Sequence, residues 1–338
     1  MTHFRTFRNT DPPALTRLWN RGAAPSASAR PLSVHEFDSH VLGRPLFDAA
    51  GLIVAERDGR PVGFVHAGFG PETDADAHVS RPMRLSRELG TVSMLIVDPP
   101  ADDPGLEADL LAAGEDYLRR RGAVVVYAGG QYPLNPFYWG IYGGSEWAGV
   151  LSSHAPFLRA IVGAGYEAVG TTVLMELDLG EPEVRDPRAV LFRRQTVLEV
   201  TEDVTPRTWW DNLAVGEFRP TLYRLIARDD QSEVARATTW DMSWFGRIDN
   251  RTRLGLVDVE VRTDRRRKGL GRHLLNEILR QARAQQVGAV SVQTPLTNSA
   301  ALAFYESLGF QPFETSTLFR LPGGRPAAPD LPPPARAL

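Results

Sequence analysis

Two stretches of this chain repeat one order of apolar runs and breaks, and a fold that must be built twice from the same plan leaves few architectures open. In the first stretch, LIVAERDG and PVGFVHAGF flank a turn at Asp58-Gly59 and GTVSMLIVDP adds a third strand. A helical pattern follows from about Gly105 to Arg121, and VVVYAGG then reads as a buried parallel strand. In the second, TLYRLIARDD, EVARATTWDM and RLGLVDVEVR are the strands, a helix spans Gly269 to Gln286, and AVSVQTP closes the series. GLEADLL at 105–111 lies over GLGRHLL at 269–275, as expected of an internal duplication. The length of 338 residues, about twice a common domain, fits two units: residues 1–180 and residues 189–321, divided in GEPEVRDPR. Residues 322–338 are proline-rich and poor in large apolar side chains, which predicts a disordered tail.

Composition narrows the function. A formal net charge of -3 gives no global basic field, and the basic run at 265–268 has no interleaved aromatics, so nucleic acid is not the expected partner. With no cysteine there is no thiol nucleophile, disulfide or thiolate metal site, and no metal is expected. No apolar run approaches the roughly 18 residues of a membrane span and the first residues lack a signal-peptide pattern, so no membrane partner and a cytoplasmic location are expected.

The chemistry concentrates in VEVRTDRRRKGLGRHLL, which holds the chain's single lysine, Lys268. Val257, Val259 and Val261 alternate with Asp258, Glu260 and Arg262, which predicts a strand with one apolar and one charged face. Arg266, Gly269 and Gly271 then fit R-x-x-G-x-G at the mouth of a helix. Glycine lets backbone approach a bulky anion, the first helical turn aims unpaired N–H groups at it, and the helix dipole adds attraction. A pyrophosphate fits that description, with Arg265, Arg266, Arg267, Lys268 and Arg272 as its cations. About 30 residues on, in TNSAALAFYESLGF, Asn298 is placed to cap a helix, Tyr305 follows two turns later on nearly the same face, and Gly309 ends it.

With these two motifs at this separation, residues 190–321 resemble the GNAT superfamily of acyl-CoA-dependent N-acyltransferases. The resemblance implies an α/β fold in α+β layers: two tandem GNAT folds, each a mixed, mostly antiparallel sheet flanked by helices. It implies acetyl-CoA as cosubstrate, its pantetheine arm held by the backbone at Val259 and Val261. The pyrophosphate would be held by the N–H groups of Arg267, Lys268, Gly269, Leu270, Gly271 and Arg272, with Arg266 and Asn298 nearby. In this family the strand splays at a bulge, which frees a backbone N–H to polarise the thioester carbonyl. Tyr305 matches the position that protonates the leaving thiolate. Glu260 and Asp258 are the candidate bases, or alternatively simple partners of arginines. The implied reaction is acetyl transfer to a primary amine of a small molecule or peptide; the alternative is a non-catalytic acyl-CoA sensor or scaffold.

In the first unit the matching loop reads Asp102-Asp103-Pro104-Gly105-Leu106-Glu107, so its charge is inverted. Asn298 falls on His154 and Tyr305 on Ile161, which has no proton to give. This unit is expected to keep the fold without ordinary CoA binding. It carries an insertion, QYPLNPFYWGIYGGSEWAG at 131–149, that could line a ligand pocket or pack on the other unit. Trp240, Trp244 and Phe245 could likewise wall an acceptor cleft or be packing.

Overall fold

The computed structural model describes residues 1–23, 31–71, 85–99, 103–130, 134, 137–141, 144–146, 149–180, 186–205, 216–243, 245 and 251–323. The expected tail, Asp102 and Trp244 lie outside them, apart from residues 322–323 at the head of the tail.

The first half runs β1 (Thr2–Thr6), α1 (Pro12–Gly22), α2 (Val34–Phe37), β2 (Leu52–Arg57), β3 (Arg60–Pro71), β4 (Leu85–Val97), α3 (Pro104–Arg120), β5 (Val125–Ala128), β6 (Val150–Leu151), α4 (Ala155–Gly163) and β7 (Glu167–Asp178). The second runs α5 (Ala189–Gln195), β8 (Thr196–Thr201), β9 (Thr221–Ala227), β10 (Glu233–Asp241), β11 (Arg253–Val261), α6 (Leu270–Ala284), β12 (Ala289–Pro295), α7 (Ser299–Glu306) and β13 (Gln311–Arg320). The meander, helix and strand read from each repeat are present. No helix among the described residues is long and apolar enough to cross a membrane.

The two halves share one sheet, ordered β1-β2-β3-β4-β5-β13-β7-β12-β11-β10-β9-β8, with β6 added on β13. Each half's last strand is inserted into the other half. Strand β7 pairs antiparallel with β12 from Ala289↔Asp178 to Pro295↔Thr172, while β13 reaches β5 at Phe319↔Ala128 and Arg320↔Tyr127. β7 and β13 pair with each other at the centre, from Gln311↔Glu176 to Arg320↔Glu167. The inserted strand is also tied by charge: buried Arg253 on β11 donates from Nε to Glu176 Oε2 on β7 at 2.8 Å, across β12.

Among the described residues, three large apolar cores follow from this sheet, beside a small fourth cluster of Val125, Tyr127, Leu134 and Leu318. One lies under α3 and α4, with Leu106, Leu110 and Leu118 against Val65, Leu95 and Val126. A second lies under α5, α6 and α7, with Leu274, Leu275 and Ile278 against Leu225, Leu256 and Val292. The third joins the halves. There Leu15, Leu18 and Trp19 of α1 meet Phe137, Tyr138 and Trp139 of the insertion, and these meet Trp240, Phe245 and Val257 of the second half. Tyr138 stacks on Trp19 at 5.7 Å, and its hydroxyl lies 2.9 Å from His66 Nδ1. Burial pushes the His66 imidazole down to about 3, so it stays neutral inside this core. Of the two readings of the insertion, Phe137, Tyr138, Trp139 and Ile141 take the packing one, and so do Trp240 and Phe245.

Because β7 fills the place between β12 and β13, residues 189–321 alone lack a central strand. Expressed alone, that segment is expected to self-associate and to lose the cooperative unfolding of the full chain. Co-expression with residues 1–180 is expected to restore both, as checked by size-exclusion chromatography and thermal denaturation; a cooperative, monomeric 189–321 would contradict the exchange.

Candidate functional site

The site begins where β11 parts from its neighbour. Their parallel ladder covers only Arg253↔Ala289 to Leu256↔Val292, after which the strands diverge. On the other side, Arg236 pairs with Glu260 and Thr238 with Val257, so two residues of β11 stand against one of β10. The extra residue is Asp258, with φ of 54°. This bulge resets the alternation read from the sequence. Val257 enters the core between the halves, whereas Val259 and Val261 pack with Leu254 and Leu256 under α6, so the three valines do not share one face.

The first half has the same geometry: β4 and β5 pair only from Leu89↔Val125 to Val92↔Ala128, and the β3 register shifts between His66 and Ala67. The halves differ in what occupies the helix mouth. After β11, Arg267 has φ of 61° and Gly269 φ of 90°, and α6 begins with no side-chain cap. Successive N–H groups turned inward before an uncapped helix make an anion-binding concavity. A Cβ on Gly269 would lie 2.9 Å from the Phe192 ring and 3.1 Å from the Arg188 guanidinium, so α5 also demands glycine there. Beside the loop runs a groove of about 720 Å³ whose rim includes Arg188, Arg194, Arg228, Arg265 and Lys268.

The cations expected to meet an anion are partly engaged within the protein. Arg266 Nε donates to the Val261 carbonyl at 2.9 Å, Lys268 Nζ to the Asp264 carbonyl at 3.1 Å, and Arg272 to the Ser307 carbonyl at 3.2 Å. Arg265 is 3.5 Å from Asp230. Arg267 forms no ion pair among the described residues. In the first half, Asp103 Oδ1 accepts from the Leu106 N–H at 3.0 Å and so occupies the helix mouth itself. The Arg57 guanidinium and that N–H hold the Asp103 carboxyl below the ordinary carboxylate range, which keeps it anionic. Arg159 on α4 then clamps buried Glu107 on α3 at 2.6 Å.

Asn298 and His154 begin α7 and α4 with nearly the same backbone, φ -87° and ψ 68° against φ -88° and ψ 68°. Asn298 Oδ1 accepts from the Ala301 N–H at 3.1 Å, the cap expected of it. Tyr305 is buried with its ring 5.6 Å from Phe310, while Ile161 is buried in the first half. Burial, and then the charge of Glu146, raises the Tyr305 phenol above its ordinary range, so it remains protonated at neutral pH.

Asp258 and Glu260 sit together against Arg236, with Glu260 Oε2 at 3.1 Å and Asp258 Oδ2 at 3.8 Å from its nitrogens. The residue that sequence reasoning missed is Glu146, from the first half's insertion. Its neighbour Ser145 accepts at its carbonyl from Trp240 Nε1 on β10 at 2.8 Å. A Cβ on Gly144 would lie 2.4 Å from Gln293 Nε2 on β12, so the loop runs directly against that strand. Enclosure, and then the Asp258 carboxylate, pushes Glu146 up to about 7. In the sequence its only signal is glycine followed by Ser-Glu inside an aromatic insertion, which says nothing of what it meets.

Comparison with known proteins agrees with this geometry. A profile of the Acetyltransferase (GNAT) family matches residues 189–310. A mycothiol acetyltransferase of Cellulomonas flavigena is 35% identical over 89 residues, which span 26% of this chain and 24% of that protein. Among solved structures, a GCN5-related N-acetyltransferase from Sphaerobacter thermophilus has a TM-score of 0.62 at 16% identity, over 94% of this chain and 95% of its own. A tandem GNAT protein from the clavulanic acid biosynthesis pathway has a TM-score of 0.63 at 15% identity, over 95% of this chain and 98% of its own. At these identities the likeness is one of fold, and it covers both halves.

Gly269→Ala should cost about 1–2 kcal/mol, because an L-residue is strained in the left-handed region and its methyl would meet Phe192. The urea midpoint checks this. The matching Gly105→Ala, at a helical position after Asp103, should cost little.

Proposed function

We propose that the protein is an acetyl-CoA-dependent N-acetyltransferase whose second half, residues 189–321, carries the reaction. The acceptor is a primary amine of a small molecule or peptide, attacking the thioester directly. One observation carries this reading: two helix mouths of the same plan, one closed by its own carboxylate at Asp103 and the other left uncapped at Gly269. Two unit charges 4 Å apart interact by about 4 kcal/mol at an effective dielectric of 20. A fixed carboxylate at the first mouth therefore opposes a diphosphate strongly, while the second mouth is built to receive one. The likeness of one segment to a mycothiol acetyltransferase supports acetyl transfer as the reaction class.

Acetyl-CoA supplies an activated acetyl thioester. The N–H groups of residues 267–272 and the cations around them hold its diphosphate. The edge of β11 past Leu256, at Val259 and Val261, carries the pantetheine arm by backbone hydrogen bonds. Asn298 fixes the start of α7 and thereby the place of Tyr305. Tyr305 holds a proton in a buried setting and delivers it to the departing sulfur, work typically worth 10² to 10⁴ in rate. Asp258 and Glu260 set the charge around Arg236 at the acceptor side, where the base must act. The first half serves as the scaffold that completes the sheet.

Calorimetric titration with acetyl-CoA should give one site per chain. Two sites would overturn the asymmetry between the halves, and none would remove the reading. With a panel of primary amines (glucosamine, spermidine, tyramine and a lysine peptide), CoA release should be amine-dependent; binding without turnover would leave an acyl-CoA sensor instead. Tyr305→Phe should lower turnover about 10²-fold or more, with acetyl-CoA affinity within a few-fold. Unchanged turnover would take Tyr305 out of the acid role.

A further inference from the structure

We propose that Glu146, delivered by the insertion of the first half, is the base that removes the proton from the acceptor amine, so that the active site is assembled from both halves. This rests on the acetyltransferase reading and adds to it the partner that Tyr305 needs.

Three observations place Glu146. The segment that bears it is fixed on two strands of the second half, Ser145 by Trp240 on β10 and Gly144 by contact with Gln293 on β12. Between those strands lies β11 with its bulge, so Glu146 stands over the opening where β11 and β12 part. Glu146 is also within electrostatic reach of both Asp258 on β11 and Tyr305 on α7. The two proton-transfer groups therefore flank the opening, one from each half of the molecule.

The polar lining is the independent sign of a ligand. Val290 and Val292 of β12 face the core under α6, which turns Ser291 and Gln293 to the opposite face, toward the insertion. Gln293 is 8% exposed, and among the described residues neither its Nε2 nor its Oε1 has a hydrogen-bond partner. The same holds for the hydroxyls of Ser291, Thr238 and Ser145, all buried. Buried polar atoms are ordinarily satisfied by protein, water or ligand, so these orphans on the strands under the insertion are free to meet a polar ligand. An amine bearing further hydroxyl or carbonyl groups suits that lining.

Among the described residues, the charged and titratable groups near Glu146 are Asp258, Arg236 and Glu260 beyond it, and Tyr305. Enclosure, and then the Asp258 carboxylate, explains why Glu146 binds its proton more tightly than an ordinary carboxylate, close to 7, as suits a base at neutral pH. In the step, the ammonium gives one proton to the Glu146 carboxylate. The nitrogen lone pair then forms the C–N bond at the thioester carbonyl carbon, and the C–S bond breaks with its electron pair on sulfur. Sulfur takes the Tyr305 proton, the amide nitrogen returns its second proton to the phenolate, and Glu146 releases its own to solvent. The products are the amide, CoA thiol and one proton.

The test compares wild type with Glu146→Gln, using the amine of the panel above that wild type acetylates fastest. Glu146 must be deprotonated to act, so wild-type kcat/KM should rise with pH through about 7. In Glu146→Gln that limb should disappear and turnover should fall about 10²-fold or more, with acetyl-CoA affinity by calorimetry within two-fold. A retained rate and pH limb would overturn the proposal. A second measurement needs no acceptor: NMR of protein labelled at the glutamate carboxyls should show one resonance titrating near 7 that is absent in Glu146→Gln and moves in Asp258→Asn. Titration in the ordinary carboxylate range would overturn the placement. If wild type binds acetyl-CoA but acetylates no amine, the proposed reaction fails, while the carboxyl titration still decides where Glu146 stands.

Discussion

The exchange of last strands is the constraint on which the rest of this structure depends. A fifth strand that diverges from its neighbour needs a partner on its far edge, or its backbone groups are left unpaired. Here β5 receives β13 and β12 receives β7, so each half closes the other. The buried pair between Arg253 and Glu176 adds register: removing one partner of such a pair leaves an uncompensated charge, a loss of about 3–5 kcal/mol. With the halves fixed in this way, the insertion of one lies over the sheet of the other, and the core that contains Trp19, Tyr138 and Trp240 becomes common to both.

The same plan is finished in two ways. Both halves keep the divergence of the fourth and fifth strands and a register shift beside it. In the first half the opening is closed: Asp103 caps α3, Glu107 and Arg159 bind α3 to α4, and Tyr138 reaches His66 inside. Each of these contacts satisfies a polar group that a ligand would otherwise meet. In the second half the helix mouth is uncapped and the polar atoms of Ser291 and Gln293 are left over.

Much of this was legible in the sequence where periodicity or turn chemistry is strong. The meander strands, α3, α6 and β12 lie close to where the apolar patterns place them, and Asn298 and Gly309 act as cap and stop. Strands β1, β6, β7, β8 and β13 are not legible in this way. In β7 the buried run Val173, Leu174 and Met175 shows no alternation, because other structure covers both faces, and β13 changes register twice. The alternation of Val257, Val259 and Val261 misled for a related reason: the extra residue at Asp258 has φ of 54°, and periodicity carries no sign of the bulge that the family resemblance alone implied.

The sequence by itself determined the repeated plan, the glycine-led helix mouth with its cations, the inverted charge of the first copy, and the presence of Tyr305 in one half only. These are local properties, set by backbone freedom, helix-end chemistry and the charge of neighbouring residues. Only the tertiary structure decided which strands pair across the halves, that the aromatic insertion is part of a shared core, and that Glu146 comes within electrostatic range of Asp258 and Tyr305. Those facts join residues more than a hundred positions apart. They depend on which surfaces are buried together when both halves fold, and no pattern within either half carries that information.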